Sequence, residues 1–481
     1  MANIVNAKAL LPAIRRLEEN KDPVTFFVFA NSNGTYPNQL SGSLNYGRVG
    51  GLAQALFSAG YRMKAVGPIM PGAGPAAPSV PGGRAFSTVA NNNPALPWDV
   101  TVLPAYGGES GAPAGADIFW NFDANGLTPG FGVPEYSTLL PFRYRYQSAA
   151  GTPGTNISGT IGRVWPGAIT LRTGVCPLLG DDLLGRYWYV RGPWPDSAGH
   201  FTPTFRQTTD RVIGSLVSCA EANPGVSGWE VASTTLAIGK GAYSSGANLD
   251  VNWGTTSGTN TVRGSLVTLA LQVETTDNPG GFQIVPMYTN AGAVCLNASQ
   301  AVLNMTDEGW SWFIEAAVAN QTDPMIVIDW PWGINDYATL THAQVTSSTV
   351  SAMNRLKAIW AAKGFKPENL IIMCGNDQPI NPAETVASAF VLGVFDDMRA
   401  AQVQLGDSAL VYDRNSILPY SGYIANGWQA DASNHHLAYP TGYNGDMTLL
   451  WSTLVEEAKR GRVFGRRRSV GLRRTDNLTR L

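Results

Sequence analysis

Strand–helix alternation in two separated stretches, residues 7–59 and 282–460, constrains this 481-residue chain more than any other feature. Such alternation implies a parallel sheet with helices on both faces, because parallel neighbours must be joined by long crossovers, usually helices. In the first stretch, Leu10, Leu11, Ile14 and Leu17 have helical spacing over 7–19. The apolar run Thr25-Phe26-Phe27-Val28-Phe29 follows as a strand, and a second helix covers 49–59. In the second stretch, strands are predicted at 282–287, 325–329, 369–374 and 409–412, and helices at 310–319, 345–362, 382–404 and 446–460. Asn381-Pro382 is taken as an N-cap followed by proline at the first helical position.

Between these stretches the texture changes. Pro/Gly segments such as Met70-Pro71-Gly72 alternate with short β-type runs, among them Arg186-Tyr187-Trp188-Tyr189-Val190 and residues 168–172 and 265–271. Short strands separated by turn signals predict an antiparallel sandwich or jelly roll inserted into the α/β unit. Residues 67–142 carry neither period and read as long ordered loops. The expected division is therefore 1–65 and 282–460 for the α/β domain, 66–281 for the β-rich insertion and 461–481 for a tail. That tail holds Arg462, Arg466, Arg467, Arg468, Arg473, Arg474 and Arg480. It is either a solvated extension or a docking arm for an acidic partner.

Charged residues make up 14% of the chain, with 53 glycines and 31 prolines, which suits a folded protein rich in turns. A net charge of −2 gives no global attraction to nucleic acid or anionic membranes. Residues 1–20 lack the apolar stretch of a secretory signal, and no segment approaches the roughly 20 apolar residues that span a bilayer. The four cysteines, Cys176, Cys219, Cys295 and Cys374, have no paired metal-ligand spacing and read as free core thiols. No metal or other cofactor is called for.

Three polar sites lie beside predicted strands. Ser32 follows the first strand in Ala30-Asn31-Ser32-Asn33-Gly34; Asn335 follows the 325–329 strand in Trp332-Gly333-Ile334-Asn335-Asp336. Asp431 precedes His435 and His436, two of the four histidines. Taken singly, Ser32 reads as a turn residue and Asn335 as a loop residue satisfying backbone groups. Taken together, a nucleophile, an amide donor and an acid–histidine pair are the parts of acyl transfer.

In their order and context these segments resemble the SGNH (GDSL-type) hydrolase family, a branch of flavodoxin-like α/β enzymes. Ala30-Asn31-Ser32 stands where the family has its Gly-Asp-Ser-like turn, and Gly333-Ile334-Asn335-Asp336 matches its Gly-x-Asn-Asp loop in full. Asp431, His435 and His436 occupy the place of its acid and base, with Gly442-Tyr443 after them. The sequence departs at Ala30 and Asn31, and in the spacing of the acid, which lies four residues before His435 and five before His436. The resemblance implies Ser32 as nucleophile, His436 as base with His435 as the alternative, and Asp431 as its orienting acid. The oxyanion hole it implies comprises the Ser32 and Gly292 backbone N–H groups and the Asn335 amide, with Gly107 and Gly108 as weaker alternatives to Gly292. Asp336 is expected to hold its loop.

An SGNH unit split by a β-rich insertion also resembles the carbohydrate esterases of bacteriophage tail spikes and fibres. The expected substrate is then an O-acetylated bacterial surface polysaccharide. The expected setting is a virion assembled in the host cytoplasm, with the bacterial cytoplasm as the alternative. The arginine-rich tail would contact other virion proteins, and no nucleic acid or membrane partner is expected. Trp188, Trp194, Trp229 and Trp253 are either sugar-stacking or core residues. The alternative function is an inactive SGNH-like structural or glycan-binding protein.

Overall fold

The computed structural model describes residues 3–34, 47–69, 265–289, 294–304, 307–429, 436–438 and 440–472, together with the strand segments between 116 and 253 named below. Its centre is strand β2 (Val24–Ala30), in which every residue is buried. Successive strand residues point to opposite faces, so Phe26 and Phe27 report on the two sides of the sheet. Phe26 meets Trp451 edge-on, with ring centroids 5.9 Å apart, while Phe27 meets Phe313 at 6.1 Å. Trp451 belongs to the long C-terminal helix and Phe313 to a helix before the next strand, so helices cover both faces. Burying each such aromatic contributes roughly 1.5–3 kcal/mol.

Six parallel strands form this core. They are β3 (Met63–Ile69), β13 (Phe282–Thr289), β2, β14 (Ile326–Trp332), β15 (Leu370–Asn376) and β16 (Ala409–Tyr412), in that spatial order. β14, β15 and β16 are buried throughout, as parallel strands between two helical layers must be. β2 and β13 are neighbours whose chains leave in opposite directions, β2 towards β3 and β13 towards β14, and the C-terminal end of such a pair is where ligands bind in open α/β folds.

The sheet is mixed overall. β1 (Ile4–Val5) pairs antiparallel with β16 at one edge. Beyond β3 the order continues through β12 (Ser265–Thr275), β7 (Leu183–Gly192) and β10 (Glu230–Ile238), all antiparallel, to ten strands. These three come from the stretch expected to form a separate β-rich unit, and they extend the α/β sheet instead. An open β3 edge would leave a row of unpaired backbone groups, and β12 covers it. A second, four-stranded antiparallel sheet holds β6 (Gly159–Val164), β11 (Asn248–Trp253), β8 (Thr204–Thr209) and β9 (Val212–Ser218). β4 (Ala116–Trp120) and β5 (Tyr144–Ser148) form a separate pair. Residues 168–172 and most of 67–142 lie outside the described residues.

Among the described residues the α-helices are α1 (Leu11–Glu19), α2 (Gly47–Ser58), α3 (Cys295–Asn304), α4 (Asp307–Ala317), α5 (His342–Ala362), α6 (Thr385–Leu405), α7 (Arg414–Ile417), α8 (Tyr420–Ala425) and α9 (Thr441–Leu472). α5 starts at a capping box in which Thr341 and Gln344 satisfy each other's backbone N–H groups. α6 begins at Thr385, later than Asn381-Pro382 implies. Asn381 Oδ1 instead accepts from Ala383 N at 3.0 Å, closing a turn ahead of the helix. α9 carries the backbone of the basic segment to Leu472; residues 473–481 lie outside the described set.

Cys295 and Cys374 are buried free thiols, while Cys176 and Cys219 are outside the described residues. Trp188 is buried and donates its Nε1–H to Gln272 Oε1 at 2.9 Å, which makes it a core residue. Trp194 and Trp229, and the side chain of Trp253, are not among the described residues. Among those described, no helix is long and apolar enough to cross a membrane.

Candidate functional site

β2 ends in a tight turn built by its own polar residues. Asn31 is fully buried, and its Oδ1 accepts the Asn33 N–H at 3.0 Å, while its carbonyl accepts Gly34 N at 3.0 Å. These two bonds wrap the chain around Ser32, which opens the short 3-10 helix Ser32–Gly34. Gly47, at the start of α2, lies against this turn with φ of +55°; a Cβ there would fall 2.3 Å from the Asn33 carbonyl oxygen. Only glycine permits that backbone at that separation.

The loop after β14 is held by Asp336. Its two carboxyl oxygens accept from Gly333 N and Cys295 N, each at 2.7 Å. Gly333 has φ of +137°, the conformation that turns its N–H back onto Asp336. Burial pushes the Asp336 carboxyl up to about 7, against the pull of these N–H groups. Asp336 thus fixes the loop, as expected, and also anchors the N-terminus of α3. Asn335, on that loop, is half-buried. Gly292, Gly107 and Gly108 lie outside the described residues.

The two loops are joined by Asp377, just past the end of β15. Its Oδ2 accepts from Asn31 Nδ2 at 2.9 Å and from Ile334 N at 3.0 Å, and its own N–H donates to the Trp332 carbonyl at 2.9 Å. Burial raises the Asp377 carboxyl above its ordinary range, opposed by the Ile334 N–H, Arg414, Arg48 and Asn31.

His436 sits half-buried in a short segment crossing the start of α9. Its carbonyl accepts from Gln429 Nε2 at 3.2 Å, and Ala438 N donates to the Trp428 carbonyl at 2.7 Å. Leu437 is buried with Tyr423 and Tyr443. Tyr443 Oη in turn donates to Asn33 Oδ1 at 2.7 Å, connecting this segment to the Ser32 turn. Asp431, His435 and the Ser32 side chain lie outside the described residues.

Beneath the loops is a buried charged layer that periodicity could not reveal. Arg48 of α2 grips Asp329 of β14 with Nε to Oδ2 at 2.5 Å and Nη2 to Oδ1 at 2.7 Å, and Nη2 also donates to Tyr412 Oη at 2.7 Å. Arg414 pairs with Asp446, which accepts from Tyr423 Oη on its other oxygen. Asn376 receives Arg414 N at 2.8 Å and donates to Asp413 Oδ1 at 2.9 Å. The one sequence signal for this layer was the change from apolar to polar at Asn376-Asp377-Gln378 after a buried strand. Among the described residues, no group of three or more His, Cys, Asp or Glu side chains is arranged to hold a metal.

No family model matches the sequence, and no curated protein matches it. Several solved structures are weakly similar. An arabinose-bound family GH51 α-L-arabinofuranosidase is 12% identical over 80% of this chain, with a TM-score of 0.30; this chain spans only 58% of that protein. A carbohydrate esterase family 2 enzyme with a carbohydrate-binding domain, from Corynascus thermopiles (Myceliophthora fergusii), is 10% identical over 57% of this chain and 93% of its own, with a TM-score of 0.23. An acetyl xylan esterase from the rumen bacterium Butyrivibrio proteoclasticus is 6% identical over 49% of this chain and 79% of its own, with a TM-score of 0.18. Likeness at this level defines neither fold nor activity.

Proposed function

We propose that this chain is a serine ester hydrolase of SGNH type. The observation that carries the reading is the Asp377 carboxyl, which ties the turn bearing Ser32 to the Gly333-Ile334-Asn335-Asp336 loop at the C-terminal ends of adjacent parallel strands. A nucleophile and an oxyanion donor must be held at a set separation, and two loops sharing one buried acceptor provide that.

In the proposed reaction His436, or His435 in its place, takes the Ser32 hydroxyl proton as Ser32 Oγ attacks the acyl carbon. Asp431 orients the imidazole and supports its charge. The tetrahedral oxyanion is stabilised by the Ser32 and Gly292 N–H groups and the Asn335 amide, each such donor being worth about 2.7–4 kcal/mol. The histidine then protonates the leaving alcohol, and water, deprotonated by the same base, releases the acid and restores Ser32. The proposed substrate is an O-acetylated bacterial surface polysaccharide met by a phage virion, with the arginine-rich tail contacting neighbouring virion subunits. That part rests on the resemblance to phage carbohydrate esterases.

A fluorophosphonate probe applied to wild type and Ser32→Ala tests the reading. Labelling that disappears only in the variant supports an activated serine, and acetate release from acetylated polysaccharides then addresses the substrate. Folded wild type that takes no label overturns the esterase reading in favour of a binding or structural role.

A further inference from the structure

We infer that Asp377 is a positioning residue that sets the separation between the nucleophile turn and the oxyanion loop; this rests on the esterase reading. The residues it bonds are the immediate predecessors of the two groups that matter, Asn31 before Ser32 and Ile334 before Asn335. A single oxygen, Oδ2, receives both donors, so neither loop can shift without stretching a bond to the other. Asp377 is itself immobilised, being 2% exposed and bonded through its N–H to the Trp332 carbonyl.

The same geometry accounts for asparagine at position 31. Asp377 Oδ2 offers only lone pairs in this contact, so residue 31 must donate, and an asparagine amide does. An aspartate there would set two carboxyl oxygens against each other with no hydrogen between them unless one took up a proton. Asn31 is also committed through Oδ1 to the Asn33 N–H, so its amide cannot turn over without losing a second bond. The departure of Asn31 from the Gly-Asp-Ser-like pattern and the presence of Asp377 are two halves of one donor–acceptor arrangement.

The test is substitution of each of the two side chains, read on hydrolysis of p-nitrophenyl acetate and on the rate of fluorophosphonate labelling. Asp377→Asn keeps an oxygen for both donors and is expected to stay within about threefold of wild type. Asn31→Asp is expected to lower kcat by about 10- to 100-fold with little change in KM, the signature of misplaced reacting groups. Asp377→Leu removes the acceptor from both donors at once and is expected to lower kcat by about 10- to 100-fold with little change in KM. In the exchange variant, Asn31→Asp/Asp377→Asn, one atom cannot both donate to position 31 and accept Ile334 N, so the kcat loss of Asn31→Asp should persist. Where Asn31→Asp fails to fold, Asn31→Ser, which removes the amide donor without adding a charge, should show the same kcat loss. Full activity in folded Asn31→Asp and Asn31→Ser, or in folded Asp377→Leu, overturns the assignment while leaving the esterase reading intact. Wild type inert to both reagents overturns both.

Discussion

Tyr443 Oη donates to Asn33 Oδ1 at 2.7 Å, joining residues 410 positions apart. One partner follows Ser32 directly and the other lies on the first turn of α9, just after the His436 segment. Asn33 is buried, and its Nδ2 has no hydrogen-bond partner among the described residues, so the Tyr443 bond is what orients the side chain. Tyr443→Phe leaves that acceptor buried and unsatisfied. A loss of about 1–3 kcal/mol in urea unfolding is expected, together with slower fluorophosphonate labelling. Unchanged stability would mean that water replaces the hydroxyl without cost.

Asp336 imposes a pH dependence on stability. Its folded-state carboxyl titrates at about 7 against an ordinary 3.8, so the folded protein holds this proton more tightly than the unfolded chain does. The resulting stabilisation is fully present below the unfolded value and is lost as pH rises from about 4 to 7, levelling off beyond. Three units correspond to at most about 4 kcal/mol. The stability difference between wild type and Asp336→Asn, measured by urea unfolding, should therefore be most favourable to wild type near pH 4.5 and shrink by pH 8. A difference that does not vary with pH refutes this assignment.

The Arg48–Asp329 pair is buried on both sides, with side-chain exposures of 3% and 0%. Burial works against the Arg48 charge, but Asp329 and Tyr412 outweigh it and keep the guanidinium protonated. Removing one partner strands the other charge. Arg48→Met should destabilise by about 3–5 kcal/mol, and Arg48→Met/Asp329→Leu by much less. Chemical denaturation of the two variants checks this, and equal losses in both would show that packing dominates over charge.

Gly47→Ala would drive a methyl group into the Asn33 carbonyl at a positive φ. Strain of about 1–3 kcal/mol is expected, and the turn at Ser32 should shift with it. A lower melting temperature accompanied by reduced labelling is the predicted outcome. Full labelling with a lowered melting temperature would separate the helix start from the site.

Local pattern carried the α/β core a long way. The 25–29 run lies inside β2, the 345–362 helix inside α5, and 409–412 coincides with β16, because apolar periodicity reports burial directly. It failed where pairing partners decide. Residues 186–190 and 265–271 were legible as strands, yet period-2 alternation cannot say which sheet a strand joins; they close over the β3 edge. α3 was missed, with no charged residue to outline its polar face.

The sequence by itself determined the order of the core elements and the residue types at their ends, Ser32 and the Gly333–Asp336 loop among them. Hydrophobic spacing and turn chemistry act over a few residues and are written locally. Only the tertiary structure decided what holds those ends together. Asp377 meets Asn31 across 346 positions and Ile334 across 43, and Arg48 meets Asp329 across 281. Hydrogen bonds and ion pairs are specified by spatial neighbours, which parallel strand order brings together and no window of sequence contains.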